Sequence, residues 1–235
     1  MSRQTTGGAR DKGSASARRV VKRRKTPEEL VRAGWNELSA VYRPPGARAD
    51  GTGHRNREYL VWLGPLFREL PRGASVLDLG CGCGEPSVRL LARRFQVTGV
   101  DISDVQIRRA RSLVPTAHFV RADMSAVRFP PDRFQGVVLL YSLIHVPLRR
   151  QLPLLRRIYR WLSPGGLLLA IVGHDAWTAR VRGWLGMQTE MYWSHTDATT
   201  YGRWLRSTGF RILRRRFVPE GDSGHELFLV RKPAR

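Results

Sequence analysis

Cysteine is scarce in this 235-residue chain, and its scarcity limits how the fold can be held together. Only Cys81 and Cys83 are present, and two residues this close in sequence cannot easily form a disulfide. Two thiols in one turn also make a poor metal site, because a structural zinc ion takes four ligands. The sequence therefore predicts no disulfide and no bound metal, and the two cysteines are interpreted as small packed residues.

Long apolar segments are absent as well. No run approaches the roughly 20 residues that a membrane-spanning helix needs, and the basic N-terminus lacks the apolar core of a signal peptide. Hydrophobic residues make up 42% of the chain, which is ordinary for a globular protein. We therefore expect one cytoplasmic domain, a monomer or a homodimer, with no membrane partner.

Lysine is rare, although the chain is strongly basic. The formal net charge is +22, and only four of the 41 basic residues are lysines, so arginine carries nearly all the positive charge. A charge of this size raises the question of nucleic-acid binding. Residues 1–25 hold nine basic residues against one acidic residue and few large apolar ones, which predicts a disordered tail that catalysis does not need. An arm for nucleic acid or an acidic partner is the alternative.

One glycine-rich stretch is the most informative part of the chain. Residues 76–79 have the composition of a buried strand, Gly80, Gly82 and Gly84 follow, and apolar residues at helical spacing resume after Pro86. Glycine allows the backbone to turn sharply and a ligand to approach it closely. The stretch therefore predicts a strand, a ligand-binding turn and a helix.

The spacing in this turn excludes two common nucleotide motifs. A dinucleotide site needs G-x-G-x-x-G, but Glu85 or Ser87 stands where the third glycine would be. A Walker loop needs a lysine, which this turn lacks. Asp78, two residues before Gly80, instead suits a ligand with positive charge. S-adenosylmethionine carries both an ammonium and a sulfonium group.

The ordered motifs of the chain resemble those of class I S-adenosylmethionine-dependent methyltransferases, in particular the UbiE-like branch that acts on small molecules. Residues 78–84, Asp-Leu-Gly-Cys-Gly-Cys-Gly, match the D/E-x-G-x-G-x-G signature. Further matches follow in the same order, at residues 99–103, 121–124, 141–146 and 162–166. The resemblance covers roughly residues 26–235. It implies an α/β, Rossmann-like fold with a seven-stranded mixed sheet and helices on both faces.

The resemblance also implies S-adenosylmethionine as cofactor and S-adenosylhomocysteine as product. Asp101, 21 residues after Gly80, stands where a carboxylate would bind the ribose, with helix capping as the alternative. Asp123 would accept a hydrogen bond from adenine, unless it only forms a turn. The expected cofactor contacts are Tyr42, Asp78, Gly80, Gly82, Gly84, Asp101, Ile102, Asp123, Met124 and Tyr141.

Helix signals surround these motifs. Residues 26–29, Thr-Pro-Glu-Glu, form a capping box before a helix that runs to about Tyr42, and residues 26–70 are expected to cap the cofactor site. Ser103 should cap the helix after the second strand, with Gln106 completing another capping box. In a helix over residues 149–162, apolar spacing predicts an inward face made of Leu152, Leu155, Tyr159 and Leu162.

Two histidines are candidate general bases. His145 follows the fourth predicted strand, at the sheet edge where open α/β folds bind ligands, and an ordinary histidine pKa lies near neutrality. An orienting role is the alternative. His195 ends the aromatic segment 173–196, which we expect to form a lid over the substrate, or else a separate packing cluster. The expected substrate contacts are Ser142, His145, Trp184, Tyr192 and Trp193.

These features predict transfer of a methyl group to a small-molecule acceptor. The preferred acceptor is a hydroxyl of an apolar or aromatic, natural-product-like metabolite of secondary metabolism, because aromatic side chains dominate the expected lid. Two alternatives stay open: an RNA or peptide methyltransferase that uses the basic tail, and a methyltransferase fold that catalyses another reaction. Residues 141–144, Tyr-Ser-Leu-Ile, replace the N/D-P-P-Y/F motif of base amino-group methylation, which argues against that activity.

Overall fold

A computed structural model describes residues 23–44 and 54–234, with side chains from residue 57 onward in the second range. The helices are α1 (Pro27–Tyr42), α2 (His54–Glu69), α3 (Ser87–Ala92), α4 (Asp104–Leu113), α5 (Leu148–Trp161) and α6 (Ala198–Thr208). Within these two ranges, none of the helices has the length and apolar character to cross a bilayer. The predicted tail falls almost entirely outside the described residues.

The strands form one large and one small sheet. They are β1 (Ser75–Leu79), β2 (Gln96–Asp101), β3 (His118–Arg121), β4 (Phe134–Leu140), β5 (Leu162–Gly173), β6 (Trp177–Val181), β7 (Met191–His195), β8 (Arg211–Glu220) and β9 (Ser223–Arg231). The large sheet has the order β3-β2-β1-β4-β5-β9-β8. Its first five strands are parallel, and β9 and β8 run antiparallel. The predicted seven-stranded mixed sheet is confirmed.

Both faces of this sheet are covered, as predicted. On one face, Leu63 of α2, Val88 of α3 and Ile107 of α4 pack into one apolar cluster. On the other face, Ile158 of α5 and Tyr201 of α6 belong to a second cluster. Since the central strands are buried on both sides, they are almost continuously apolar. The strand order reverses between β1 and β4, which leaves a crevice for ligands at their carboxyl ends.

The inward face predicted for helix α5 is confirmed at Leu155 and at Leu162, which is buried as the first residue of β5, but not at its other two positions. Its buried residues are Gln151, Leu154, Leu155, Ile158 and Trp161. Leu152 and Tyr159, which were expected to point inward, are only half-buried. The prediction counted apolar positions alone and therefore missed Gln151, whose amide is hydrogen-bonded inside the protein.

The two predicted capping boxes have different outcomes. Helix α1 begins with a complete one, because Thr26 and Glu29 each accept a hydrogen bond from the other's backbone N–H. The box at α4 is only half formed. The Ser103 hydroxyl accepts from the Gln106 N–H at 3.0 Å, but the Gln106 side-chain oxygen accepts from the Ser39 hydroxyl at 2.7 Å. Gln106 therefore ties α4 to α1 instead of closing the cap.

The segment over residues 173–196 contains regular structure that its aromatic content did not predict. Strands β6 and β7 pair antiparallel as a small separate sheet. Met187 and Met191 of this hairpin pack with Val31 and Leu38 of α1. The Glu37 carboxylate adds hydrogen bonds from the N–H groups of residues 188 and 189. The hairpin and α1 thus form one continuous wall beside the carboxyl ends of the central strands.

Candidate functional site

A cleft of about 1250 Å³, its mouth included, opens at the carboxyl ends of the central strands. The glycine turn forms its floor, and α1 and the β6–β7 hairpin form its sides. Because this volume includes space open to solvent, the lining residues indicate the ligand better than the size does.

Most of the predicted site residues meet in this cleft. Those that line it are Tyr42, Asp78, Gly80, Gly82, Asp101, Ile102, Asp123, Met124, Tyr141, Ser142, His145, Trp184 and Trp193. Three predicted residues do not line it, namely Gly84, Tyr192 and His195. Motifs that are up to 151 positions apart in sequence, from Tyr42 to Trp193, therefore converge on one cavity.

The floor of the cleft depends on glycine at position 80. Gly80 has a φ of +81°, and a Cβ there would lie 2.2 Å from the Ser142 Cβ. Its N–H donates to the Val100 carbonyl at 2.7 Å, and the Ser142 hydroxyl donates to the Leu79 carbonyl. The ends of β1, β2 and β4 are thus drawn together around a residue that has no room for a side chain.

Asp78 is a buried carboxylate on the cavity wall, with only 1% of its surface exposed. One of its oxygens accepts from the Ser87 hydroxyl at 2.6 Å. Burial raises its pKa to about 7, and the nearby Asp101 charge also raises it, against the lowering effect of the Ser87 hydrogen bond. A positively charged ligand beside Asp78 would stabilise the ionised form.

Asp101 joins the glycine turn to the end of β2. Its two carboxylate oxygens accept from the Gly82 N–H at 2.9 Å and from the Ser103 N–H at 2.8 Å. Burial raises its pKa to about 6 in spite of these backbone hydrogen bonds. Each oxygen retains a lone pair, so the local role of Asp101 in the turn is compatible with a bond to a sugar hydroxyl.

Both carboxylate oxygens of Asp123 also accept hydrogen bonds within the protein. Its oxygens accept from the Ser125 N–H at 2.7 Å and from the Ser125 hydroxyl at 2.8 Å. The Arg150 guanidinium lies 3.5 Å from Asp123 and 2.8 Å from Glu28 of α1. The turn-forming role of Asp123 is therefore present in the structure, and Asp123 also lines the cavity.

His145 is held in a defined orientation at the cavity wall. It lies in a one-turn 3-10 helix, Leu143–His145, directly after β4. Its Nδ1 atom is 2.9 Å from the Tyr192 carbonyl oxygen. Because a carbonyl only accepts hydrogen bonds, Nδ1 carries the proton, and Nε2 is the acceptor in the neutral ring. This is the tautomer that a general base needs if Nε2 faces its substrate.

The expected near-neutral ionisation of His145 is wrong. Burial lowers its pKa to about 4, and the hydrogen bond to the Tyr192 carbonyl only partly opposes this effect. The ring is 7% exposed, so the charged form would lose most of its hydration. His145 is consequently neutral throughout the physiological range of pH.

Four aromatic rings and His145 form a connected wall. The Trp35 ring centroid lies 5.1 Å from that of Tyr42, 5.6 Å from His145 and 5.8 Å from Trp184. The Trp193 ring lies 4.4 Å from His145 and 5.0 Å from Trp184. Trp35 was not predicted as a site residue. Its spacing of seven residues from Tyr42, on one helix face, was the signal that could have indicated it.

Arg43 and the β8–β9 hairpin also reach the cavity, and sequence reasoning missed both. The Arg43 guanidinium lies 5.0 Å from the Tyr42 ring centroid, and its Nε is buried without a hydrogen-bond partner among the described residues. His225 pairs with Glu220 at 3.2 Å and packs edge-on against Tyr141, with the two ring centroids 4.8 Å apart. No motif marked His225, because only the antiparallel pairing of β9 with β5 brings it near Tyr141.

The remaining predicted residues have other positions. Gly84 has a φ of +82°, and a Cβ at this position would lie 3.2 Å from the Val114 Cγ2 atom. Tyr192 contributes its carbonyl to His145, and its ring does not line the cavity. The His195 Nδ1 atom bonds the Asp175 carbonyl at 2.6 Å, away from the cleft. Over the part of the chain that the structure describes, no cluster of three potential ligand side chains could hold a metal ion.

Known proteins with similar sequences include methyltransferases. Residues 76–166 match a family model described as a methyltransferase domain. The chain is 38% identical over 148 residues to 27-O-demethylrifamycin SV methyltransferase of Amycolatopsis mediterranei. This match covers 60% of this chain and 50% of that protein. The matches span 32% to 50% of the first four curated relatives, about half their length or less.

Solved structures share the fold at low sequence identity. The [4+2]-cyclase SpnF has a TM-score of 0.70 at 19% identity, over 89% of this chain and 97% of that chain. Magnesium protoporphyrin IX methyltransferase of Synechocystis PCC 6803, solved with bound S-adenosylmethionine, has a TM-score of 0.66 at 17% identity. The match covers 89% of this chain and 98% of that chain. Identities this low show a common architecture alone, and a fold by itself does not determine a reaction.

Proposed function

We propose that this chain, whose residues 76–166 match a methyltransferase domain, is an S-adenosylmethionine-dependent methyltransferase that transfers a methyl group to a small-molecule acceptor. The observation that supports the proposal is the single cleft, which brings the glycine turn, two buried carboxylates and His145 together. Such a cleft, with apolar walls and a few convergent polar groups, is typical of a small-molecule site. The reaction is proposed from this site and not from the fold.

The chain's own residues fit S-adenosylmethionine. Asp78 is the carboxylate for its ammonium group, and Asp101 has free lone pairs for the ribose hydroxyls. Met124 and Ile102 supply apolar surface for the adenine ring. The buried Nε of Arg43, which lacks a partner among the described residues, suits a carboxylate. When bound, S-adenosylmethionine supplies an activated methyl group on a sulfonium centre.

We propose that His145 removes the proton of the acceptor. An oxygen that gains a methyl group becomes positively charged, so its proton becomes strongly acidic during the transfer. A neutral imidazole with a pKa of about 4 can then accept that proton, although it could not deprotonate a free alcohol. Much of the remaining catalysis is positioning of the acceptor for in-line attack.

The acceptor class is proposed from the aromatic wall. The rings of Trp35, Tyr42, Trp184 and Trp193 border the space beside His145. Aromatic rings provide large apolar contact area with few groups to desolvate. We therefore infer an apolar or aromatic metabolite with a hydroxyl, and we propose that residues 173–196 form the wall that covers it.

Calorimetric titration tests the cofactor proposal. We expect saturable binding of S-adenosylhomocysteine and none of NAD. The ammonium of S-adenosylhomocysteine favours the ionised form of Asp78, and hydrogen bonds from the ribose hydroxyls favour that of Asp101, whose pKa values are raised to about 7 and about 6 respectively. Binding should therefore release protons, and affinity should rise as the pH increases from about 5 to about 8. Binding of NAD without a response to S-adenosylhomocysteine would overturn the assignment.

Tryptophan substitutions test the acceptor wall. Trp184→Ala and Trp193→Ala should each raise KM for an aromatic acceptor roughly tenfold, the equivalent of about 1.4 kcal/mol of apolar contact. Trp177→Ala is the matched control, because Trp177 lies in the same hairpin, is 46% exposed and does not line the cavity. If all three variants lower the melting temperature alike and leave KM unchanged, the hairpin is only a structural cap.

A further inference from the structure

Gln151 is a fully buried polar residue in the first turn of α5, with 0% of its surface exposed. Its Nε2 atom lies 3.1 Å from the Leu143 carbonyl oxygen, 2.8 Å from that of Val146 and 2.7 Å from that of Ser194. Its Oε1 atom accepts from the Tyr201 hydroxyl at 2.6 Å. Because carbonyls only accept hydrogen bonds, the amide has one consistent orientation, with its two N–H groups shared among three carbonyls.

The three carbonyls belong to the two segments that determine the position of the His145 ring. Leu143 is the first residue of the 3-10 turn that ends at His145, and Val146 directly follows this turn. Ser194 lies in β7, two residues after Tyr192, whose carbonyl accepts the His145 Nδ1–H. Gln151 therefore ties the turn that carries His145 to the strand that orients it.

A second contact joins the same two segments. The Ser194 hydroxyl accepts from the Leu148 N–H at 3.2 Å and lies 3.1 Å from the Thr178 hydroxyl. This contact links β7 to the start of α5 without touching the 3-10 turn itself. Gln151 thus bonds directly to both the turn and β7.

We propose that Gln151 is a positioning residue that sets the tautomer and the direction of the His145 ring by holding the Leu143–His145 turn against β7. The proposal rests on the proposed function to the extent that His145 acts as a base. The other buried residues of α5 are Leu154, Leu155, Ile158 and Trp161. An apolar residue at position 151 would continue this stripe without the cost of burying an amide. We therefore infer that the amide is present because it holds the turn that carries His145.

A structural role alone is the competing explanation, and Tyr201→Phe is the matched control. That substitution removes the hydroxyl that donates to Gln151, so it also deletes a buried hydrogen bond and should lower the melting temperature. It leaves the three bonds from Nε2 to the carbonyls intact. Gln151→Met has a similar volume and removes all three, so only this variant should release the His145 ring.

The measurement is the ring ¹⁵N spectrum of histidine-labelled full-length protein across pH, which needs no substrate. The His145 signal is identified by its loss in His145→Ala. In Gln151→Met, we expect the ratio of Nδ1–H to Nε2–H tautomer to fall roughly fivefold to tenfold, the factor for one lost hydrogen bond. The titration midpoint of His145 should also rise as water reaches the ring, while Tyr201→Phe should resemble the native protein.

An unchanged tautomer ratio and midpoint in Gln151→Met, with a melting temperature lowered as in Tyr201→Phe, would overturn the proposal. If Gln151→Met does not fold, Gln151→Glu takes its place, since it is isosteric and its protonated carboxyl keeps one donor. In Gln151→Glu, a smaller fall of the His145 tautomer ratio would support the proposal, and an unchanged ratio would overturn it. The rate of His145→Ala separately decides whether His145 is the base.

Discussion

Replacing His145 with alanine is expected to lower the methyl-transfer rate by ~10²–10⁴-fold while affinity for S-adenosylhomocysteine changes little. The rate should fall because the substitution removes the imidazole that is proposed to accept the proton beside the aromatic wall. Cofactor affinity should persist because the proposed cofactor contacts lie on the glycine turn, at the ends of β2 and β3, and at Arg43. Steady-state kinetics and calorimetric titration of the same preparation measure the two effects.

The pH dependence of this rate has a definite sign. Protonation of Nε2 would remove the lone pair that accepts the proton, so the rate should fall as the pH decreases through the folded pKa of about 4. The fall should be absent from His145→Ala. The unfolded chain binds this proton near pH 6.5, so the contribution of His145 to stability declines as the pH falls from about 6.5 to about 4, while the raised pKa values of Asp78 and Asp101 act in the opposite direction. Rates must therefore be normalised to the folded fraction.

His195→Ala is the matched control for this experiment. His195 is also a histidine of the aromatic segment, but its Nδ1 atom bonds the Asp175 carbonyl and it does not line the cavity. We expect near-native turnover from this variant. A large loss of rate in His195→Ala, together with native turnover in His145→Ala, would contradict the assignment of the base.

Replacing Gly80 with alanine is expected to weaken cofactor binding by roughly 5–150-fold, which corresponds to ~1–3 kcal/mol of overpacking. The new Cβ would lie 2.2 Å from the Ser142 Cβ, so either the glycine turn or the end of β4 must move. Both segments line the proposed cofactor site. Titration with S-adenosylhomocysteine measures the loss.

Gly73→Ala separates this effect from backbone strain. Gly73 has the same φ of +81°, but nothing lies within 4 Å of a Cβ at that position. Backbone strain should cost each variant ~1–2 kcal/mol of stability, because each places a side chain in the left-handed region, and Gly80→Ala should lose more through its clash with Ser142. Only Gly80→Ala should lose affinity. Equal affinity in the two variants would show that the turn does not cradle the cofactor.

The sequence by itself determined the local features of this protein. The glycine turn, the alternation of strands and helices, and the capping box of α1 were all readable, because each depends on residues close together in the chain. The seven-stranded sheet was implied by the resemblance to class I methyltransferases that the ordered motifs carry. Asp78, Asp101 and His145 were indicated for the same reason, since they stand at the ends of predicted strands.

Only the tertiary structure decided how the site works. The pKa and tautomer of His145 depend on burial and on the Tyr192 carbonyl, which lies 47 residues away. His225 reaches the cavity through antiparallel pairing, and His195 is turned away from it. Gln151 was overlooked because apolar periodicity ignores polar residues, although a buried amide is stable wherever its partners surround it. Desolvation and hydrogen bonding between distant segments arise only after folding, so no local pattern could reveal them.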